Sequence, residues 1–251
     1  MWRETAKLCL ALVALTNAAG QVRADDQVTA LRVIDGAIRA AGGEERLVRA
    51  NHMLRNAKGT LFFFGKEIAF TTQLTMDLPD RIRDVIEVEA DNKQKNRIVR
   101  VVTRDQAWTA TNGATVEMAK PEAEEVREEV YILWLTTLQP LRDPTFHLAP
   151  LPEIKVDGRP ATGVRVSRAG HGDAALFFDK QSSRLVKIER QAREVGLLVN
   201  KEYFLSEPRE FEGITRATKQ VEFVSGKKST ELVVTLFAFP AKMEDNSFAK
   251  P

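Results

Sequence analysis

The residues from Glu67 to Leu78 alternate between polar and apolar side chains. The large apolar side chains occupy even-numbered positions, at Ile68, Phe70, Leu74, Met76 and Leu78. Successive side chains of a β-strand point to opposite faces, so this pattern predicts a long strand with one apolar face and one polar face. Similar segments recur as far as Phe239. We therefore expect a β-sheet protein that presents or encloses an apolar surface.

The first two dozen residues have the organisation of a secretory signal peptide. Arg3 and Lys7 precede an apolar run from Leu8 to Leu15, and Val22-Arg23-Ala24 fits a signal peptidase site. The run is far shorter than the about 20 apolar residues that span a bilayer, and the lone Cys9 lies too early for a lipoprotein signal. The sequence predicts that residues 1–24 are removed, that the mature chain has no transmembrane segment and that it is periplasmic.

Without that segment the chain is close to neutral. The 37 Lys and Arg residues and the 35 Asp and Glu residues of the whole chain include Arg3, Lys7, Arg23 and Glu4. The mature part therefore has no charge excess that would favour nucleic acid as a partner. It also has no cysteine. An exported chain without disulfides depends on its hydrophobic core, which favours a single domain over residues 25–251.

Two amphipathic helices are predicted among the strands. Leu31, Ile34 and Ile38 follow helical spacing within residues 27–41, and Gly42-Gly43 ends that helix before a short one over residues 44–50. Residues 121–138 have a helical apolar stripe that includes Trp134.

Strands are predicted over the remaining segments, and residues 240–251 are predicted to form a loosely held tail. The strands cover residues 53–64, 67–78, 81–90, 96–104, 106–111, 114–118, 145–149, 153–157, 161–168, 173–179, 184–192, 199–206, 214–225 and 230–239. Their connections are short, and Asn112-Gly113 is a strong hairpin signal, so neighbouring strands must be antiparallel. The expected fold is mainly β, with one strongly curved antiparallel sheet and the helices over 27–41 and 121–138 on its concave side.

Residues that could perform catalysis are sparse. His52, His147 and His171 have no partner at metal-ligand spacing, and no serine lies in a strand-to-helix nucleophile elbow. No phosphate loop or dinucleotide motif is present. We expect no catalytic residues, no metal and no cofactor. An enzyme that uses carboxylates distant in sequence stays open as an alternative.

Acidic pairs in the central helix have two interpretations. Glu124-Glu125 and Glu128-Glu129 could ligate a metal or form a solvated helix face. No histidine lies near them in the sequence, and this favours the solvated face.

Four stretches of the sequence resemble a known family. They are a helix with its glycine stop at Ala40–Gly43, a strand start at Pro79–Arg83, a strand pair with an aspartate turn at Val101–Trp108, and two strands joined by an Asp-x-x-Ser turn at Phe177–Lys187. In this order they are similar to periplasmic lipoprotein carriers of the LolA/LolB type and to outer-membrane lipoprotein-sorting-like proteins.

The resemblance implies an unclosed β half-barrel, covered by an N-terminal and a central helix, whose apolar interior accepts acyl chains. It also implies an arginine in the cavity, for which Arg81 and Arg83 are candidates by position. Either as cavity lining or as plain core, the side chains expected in the interior are Phe70, Met76, Ile86, Phe178 and Leu236, with Trp134 on the covering helix.

Three functions are therefore considered. The first is a periplasmic binder or carrier of acyl chains, lipids or lipidated proteins, with an envelope protein as a further partner that would receive the ligand. The second is a sensor or interaction module with the same fold, and the third is an enzyme with dispersed carboxylates. A roomy apolar cavity would favour the carrier, and an interior filled by side chains would favour the interaction module.

Overall fold

The computed structural model describes residues 24–89, 95–194 and 196–251. The predicted signal peptide lies outside the described residues except for Ala24. Within the described ranges, three α-helices accompany one antiparallel sheet of 13 strands that does not close into a barrel. The predicted mainly β class and the unclosed half-barrel are confirmed.

The elements follow the chain in a simple order. The helices are α1 (Ala24–Ala40), α2 (Glu44–Leu47) and α3 (Lys120–Leu135), with 3-10 turns at Val48–Asn51, Gln139–Arg142 and Asp245–Phe248. The strands are β1 (His52–Phe63), β2 (Lys66–Asp77), β3 (Arg81–Glu89), β4 (Lys95–Val102), β5 (Ala107–Thr111), β6 (Ala114–Glu117), β7 (His147–Val156), β8 (Arg159–Ser167), β9 (Ala174–Asp179), β10 (Leu185–Glu194), β11 (Leu197–Phe211), β12 (Ile214–Val224) and β13 (Lys227–Ala238).

Two meanders make up the sheet. Strands β1 to β6 form one and β7 to β13 form the other, and the pairing of β1 with β13 joins them, for example at Leu54 opposite Ala238. Strands β6 and β7 are therefore the two edges. Helix α3 connects the meanders. No helix in the described part of the chain is long and apolar enough to cross a membrane.

Strand β2 has one buried apolar face and one exposed polar face, as its alternating sequence predicts. Phe70, Leu74 and Met76 are buried toward the concave side, whereas Glu67 and Gln73 are exposed. The concave face and helices α1 and α3 share one hydrophobic core.

Helix α1 is fixed to the sheet at its C-terminal end. Gly42 follows the helix with φ = +121°, and a Cβ atom there would lie 2.2 Å from the carbonyl oxygen of Gly213. Next to this contact, the amide of Thr215 donates to the carbonyl of Ala41 at 2.9 Å. Glycine is required at position 42, because a side chain would hold the helix away from the start of β12.

The prediction of two strands at 145–149 and 153–157 is wrong, because β7 is continuous with a register irregularity between Leu151 and Ile154. Pro150 and Pro152 lie within this continuous strand. A proline lacks the amide for a second neighbour, but β7 is an edge strand and has only one neighbour.

The prediction of a loosely held tail is also wrong. Phe248 is buried against Val99, Val101 and Ala110 on the outer face of the sheet, and the guanidinium of Arg81 lies over its ring at 4.6 Å. The tail is held because Phe248 buries the apolar side chains on the outer face of these strands.

Candidate functional site

A cavity of about 440 Å³ lies between the concave face of the sheet and helices α1 and α3. This volume falls within the roughly 300–1,000 Å³ that is usual for ligand sites. The apolar part of its wall comes from inward-facing side chains of the central strands and from the end of α3, including Met53, Leu74, Met76, Ile82, Leu232, Val234, Phe237, Ile132 and Leu133.

A β-bulge decides which side chains of β13 enter the cavity. Val234 is opposite Ala57 and Leu236 is opposite Asn56, so Thr235 is an extra residue in the ladder. The bulge reverses the alternation, and Val234 and Phe237 both line the cavity. Leu236 points outward and is 44% exposed. The prediction that Leu236 lies in the interior is wrong for this reason.

The other predicted interior residues are spread over a larger core. Met76 is fully buried and lines the cavity. Phe70 and Phe178 are buried in the core but are not among the cavity-lining residues. Ile86 and Trp134 pack against the same core, partly buried and also outside the cavity wall. The structure therefore brings only Met76 of the six residues to the cavity.

Neither predicted arginine candidate reaches the cavity. Arg81 donates to Asp245 Oδ1 at 2.8 Å on the outer side of the sheet. Arg83 shares that outward direction, because its neighbours Ile82 and Asp84 line the cavity. The prediction of a cavity arginine at position 81 or 83 is wrong.

One end of the cavity borders a group of charged side chains that we call the central ion-pair cluster. Its members are Asp84, Arg100, Glu129, Lys201 and Glu222. Arg100 Nη2 lies 2.8 Å from Asp84 Oδ2 and Arg100 Nη1 lies 3.6 Å from Glu129. Lys201 Nζ lies 3.7 Å from Glu129 and 3.5 Å from Glu222.

Burial alone would lower the pKa of Lys201, but Tyr203 and the nearby carboxylates offset this and raise it. Tyr203 is beside the cluster, and burial, with the charge of Glu222, raises its pKa to about 12. Both groups therefore keep their protons at neutral pH. The cluster links β3, β4, β11 and β12 to α3 by charge.

The acidic face of α3 is only in part the predicted solvated surface, because Glu124 is exposed and Glu125 and Glu128 are not. Glu125 accepts a hydrogen bond from Arg190 Nη2 at 2.6 Å, and the side chains of Glu125 and Arg190 are only 16% and 3% exposed. Glu128 Oε1 lies 2.8 Å from Nδ1 of His171, a histidine that is distant in sequence. The interpretation holds for Glu124 and is wrong for Glu125 and Glu128, because the helix turns these two carboxylates toward Arg190 and His171.

Arg55 and Arg216 are two further cations in the cavity wall. Arg216 Nη1 donates to the carbonyl of Thr136 at 2.6 Å, and Nη2 is 3.9 Å from the sulfur of Met53. Burial lowers the pKa of Arg216 to about 10, with a contribution from the charge of Arg55. Burial also lowers the pKa of Arg55, and Asp84 offsets this in part.

The remaining histidines, His52 and His147, do not line the cavity. His52 Nε2 lies 3.2 Å from Asp77 Oδ1, and His147 is exposed on β7. Within residues 24–89, 95–194 and 196–251, no three histidine, cysteine or carboxylate side chains are placed as a metal site.

The charged cavity residues were missed, although one signal for them exists. Asp84 stands between Ile82 and Ile86, and Arg100 stands between Ile98 and Val102, each in the apolar phase of its strand. The two residues are directly opposite each other in the β3–β4 ladder. A charge in the apolar phase of a strand indicates a polar site in the interior.

Comparison with known proteins shows the fold. No family model matches the sequence, and no curated protein matches it. Among solved structures, a proposed outer membrane lipoprotein-sorting protein domain from Vibrio parahaemolyticus has a TM-score of 0.58 at 13% identity, over 89% of this chain and 97% of that one. A LolA superfamily protein from Nitrosomonas europaea has a TM-score of 0.56 at 11% identity, over 88% of this chain and 97% of that one.

A DUF1329 family protein from Desulfovibrio piger ATCC 29098 has a TM-score of 0.55 at 13% identity, over 87% and 96% of the two chains. The predicted LolA-like fold is therefore confirmed over nearly the whole described chain.

Proposed function

We propose that this protein is an exported, non-enzymatic binder or carrier of lipids or lipidated proteins, and that it holds acyl chains in the cavity between sheet and helices. The cavity of about 440 Å³ is the observation that carries the proposal. Protein interiors are normally close-packed, with few voids larger than a water molecule. A space of this size with Leu74, Met76 and Val234 in its wall suits an apolar ligand.

Burial of an acyl chain supplies the binding energy in this proposal. Removal of apolar surface from water stabilises by about 25 cal/mol per Å², and both the chain and the cavity wall lose such surface on binding. Helices α1 and α3 cover the ligand. Ion pairs such as Glu125 with Arg190 hold α3 in place on the sheet.

The fold and the N-terminus agree with this function. The similar structures from Vibrio parahaemolyticus and Nitrosomonas europaea carry the descriptions lipoprotein-sorting protein and LolA superfamily. The pattern of residues 1–24 supports export to the periplasm.

The two other functions have weaker support. An interaction module with a filled interior would have no need of the cavity. An enzyme would need converging free carboxylates. In the cavity wall, Asp84 is paired with Arg100, and Glu129 and Glu222 are paired with Lys201, so Glu207 is the one wall carboxylate among the described residues without an ion pair.

A filled cavity tests the proposal. Val234→Trp places an indole in the cavity, because Val234 faces inward from β13. We expect the affinity for a fluorescent fatty acid to fall about ten-fold or more, since the added ring takes the space of the chain. The thermal midpoint should change little because the indole enters existing space. Both are measured on the mature protein.

Val233→Trp is the matched control. Val233 is the next residue of β13 and points to the opposite face, so the same added ring leaves the cavity open. Its affinity should stay near that of the wild type. Absence of probe binding in the wild type, or full binding by Val234→Trp, would refute the proposed function.

A further inference from the structure

Arg55 and Arg216 are cations that form no ion pair among the described residues, although the charge of Asp84 acts on Arg55. Arg55 lies on β1 and Arg216 on β12, and β13 runs between these strands. Phe237 of β13 is opposite Arg55 in the ladder and lines the cavity with both arginines. Among the described residues, no carboxylate comes within ion-pair distance of either guanidinium.

The hydrogen-bonding capacity of the pair is mostly unused. Arg55 Nε is buried without a hydrogen-bond partner. Arg216 has only the carbonyl of Thr136 and the weakly accepting sulfur of Met53. A guanidinium has five N–H donors, so both groups have donors to spare beside the cavity.

Asp84 and Glu129, two carboxylates of the cavity wall, are engaged with other groups. Asp84 accepts hydrogen bonds from Thr72 Oγ1 at 2.5 Å and from Arg100 Nη2 at 2.8 Å. Glu129 lies between Arg100 and Lys201 in the central ion-pair cluster. The cavity wall near Arg55 and Arg216 therefore has positive charge that Asp84 offsets only in part.

A largely buried cation without an ion-pair partner is costly, and two such cations that repel each other cost more. Burial and mutual repulsion lower the pKa of Arg216 to about 10, so the group is still charged at neutral pH. A ligand anion that entered the cavity would remove this cost. Guanidinium groups bind carboxylate and phosphate through paired N–H donors.

We infer that the cavity ligand is an anionic amphiphile, whose carboxylate or phosphate group is bound by Arg55 and Arg216 while its acyl chain lies along the apolar wall. This inference rests on the proposed function, because it requires that the cavity binds an acyl chain. It adds that the headgroup is charged and that these two residues select it.

The test compares ligands that share one chain and differ in the headgroup. The mature protein is titrated by calorimetry with dodecanoate, dodecyl phosphate, dodecanol and inorganic phosphate alone. We expect one or both of the anionic amphiphiles to bind at least about ten-fold more tightly than dodecanol. Inorganic phosphate should bind far more weakly, because it has no chain to bury.

Arg55→Met and Arg216→Met, singly and together, locate the preference. Each substitution should reduce the ratio of the affinity for the anionic amphiphile to the affinity for dodecanol. The double variant should bring this ratio close to one while dodecanol still binds. Arg55→Lys and Arg216→Lys should retain part of the preference for the anion, since lysine keeps the charge but lacks the paired N–H donors of a guanidinium. Arg97→Met removes a cation from the exposed outer face of β4 and should leave the preference unchanged.

The thermal midpoint separates recognition from misfolding. Arg55 makes no ion pair or hydrogen bond among the described residues, so Arg55→Met should have a midpoint at or above that of the wild type.

The outcomes distinguish this inference from the proposed function. Equal binding of dodecanol and both anionic amphiphiles would overturn the inference and leave acyl-chain binding intact. Tight binding of inorganic phosphate alone at the same arginines would also overturn it, because the site would then be one for a free ion. Absence of binding by all the chain-bearing ligands would overturn both.

Discussion

Glu125→Gln is expected to destabilise the protein by about 3 kcal/mol, because removal of one partner from a buried ion pair leaves the other charge uncompensated. Glu125 Oε1 accepts from Arg190 at 2.6 Å and Oε2 accepts from the amide of Arg193 at 2.8 Å. The substitution keeps the shape of the side chain and removes its charge. For a chain of this size the thermal midpoint should fall by roughly 6–12 °C, measured by circular dichroism on the mature protein.

Glu124→Gln is the matched control for this change. Glu124 is the preceding residue of α3, and its contact with Lys120 at 3.8 Å is solvent-exposed. Exposed pairs contribute little, so a change within about 0.5 kcal/mol is expected. Equal midpoints for the two variants would show that Glu125 does not hold α3 on the sheet.

Gly42→Ala should cost about 3 kcal/mol or more in the free energy of unfolding, from backbone strain at positive φ together with a steric clash. The new Cβ would lie 2.2 Å from the carbonyl oxygen of Gly213, and this backbone contact cannot be relieved by a rotamer change. Chemical denaturation gives the free energy directly. Because β12 carries Arg216 two residues beyond Ile214, the same change should also disturb the cavity wall.

Gly43→Ala isolates the contribution of the clash. Gly43 also has a positive φ, of +88°, but a Cβ atom there would meet nothing within 4 Å. Its expected cost is about 1–2 kcal/mol, from backbone strain alone. If Gly42→Ala cost no more than Gly43→Ala, the close approach of α1 to β12 would be refuted.

Local patterns in the sequence predict most of the sheet. The alternation in β2 specifies which face is buried, because a strand exposes successive side chains to opposite sides. Asn112-Gly113 forms the expected two-residue hairpin, with φ values of +50° and +90° and with Thr111 opposite Ala114. These signals are short-range, so a single sequence contains them in full.

Features that depend on distant parts of the chain were not predictable in the same way. The pairing of β1 with β13 joins segments at opposite ends of the chain, and no local pattern specifies it. The bulge at Thr235 arises in that pairing. Because of it, Phe237 lines the cavity and the predicted Leu236 does not.

The candidate site was predictable as a concave apolar surface but not as a charged one. Met76 was found because it follows the apolar phase of a regular strand. Arg55 and Arg216 were missed because their strands alternate less regularly, so the inward phase of each is visible only once the sheet is assembled. The carboxylates of α3 were misinterpreted because their cationic partners, such as Arg190, are distant in sequence.

Native mass spectrometry of the mature protein, purified from an envelope fraction without delipidation, tests acyl-chain binding most directly. We expect a bound species with the mass of an acyl lipid on the wild type and on Val233→Trp, and its loss from Val234→Trp. The bare polypeptide mass for all three proteins, together with no uptake of added fatty acid, would contradict the proposal that the cavity holds acyl chains.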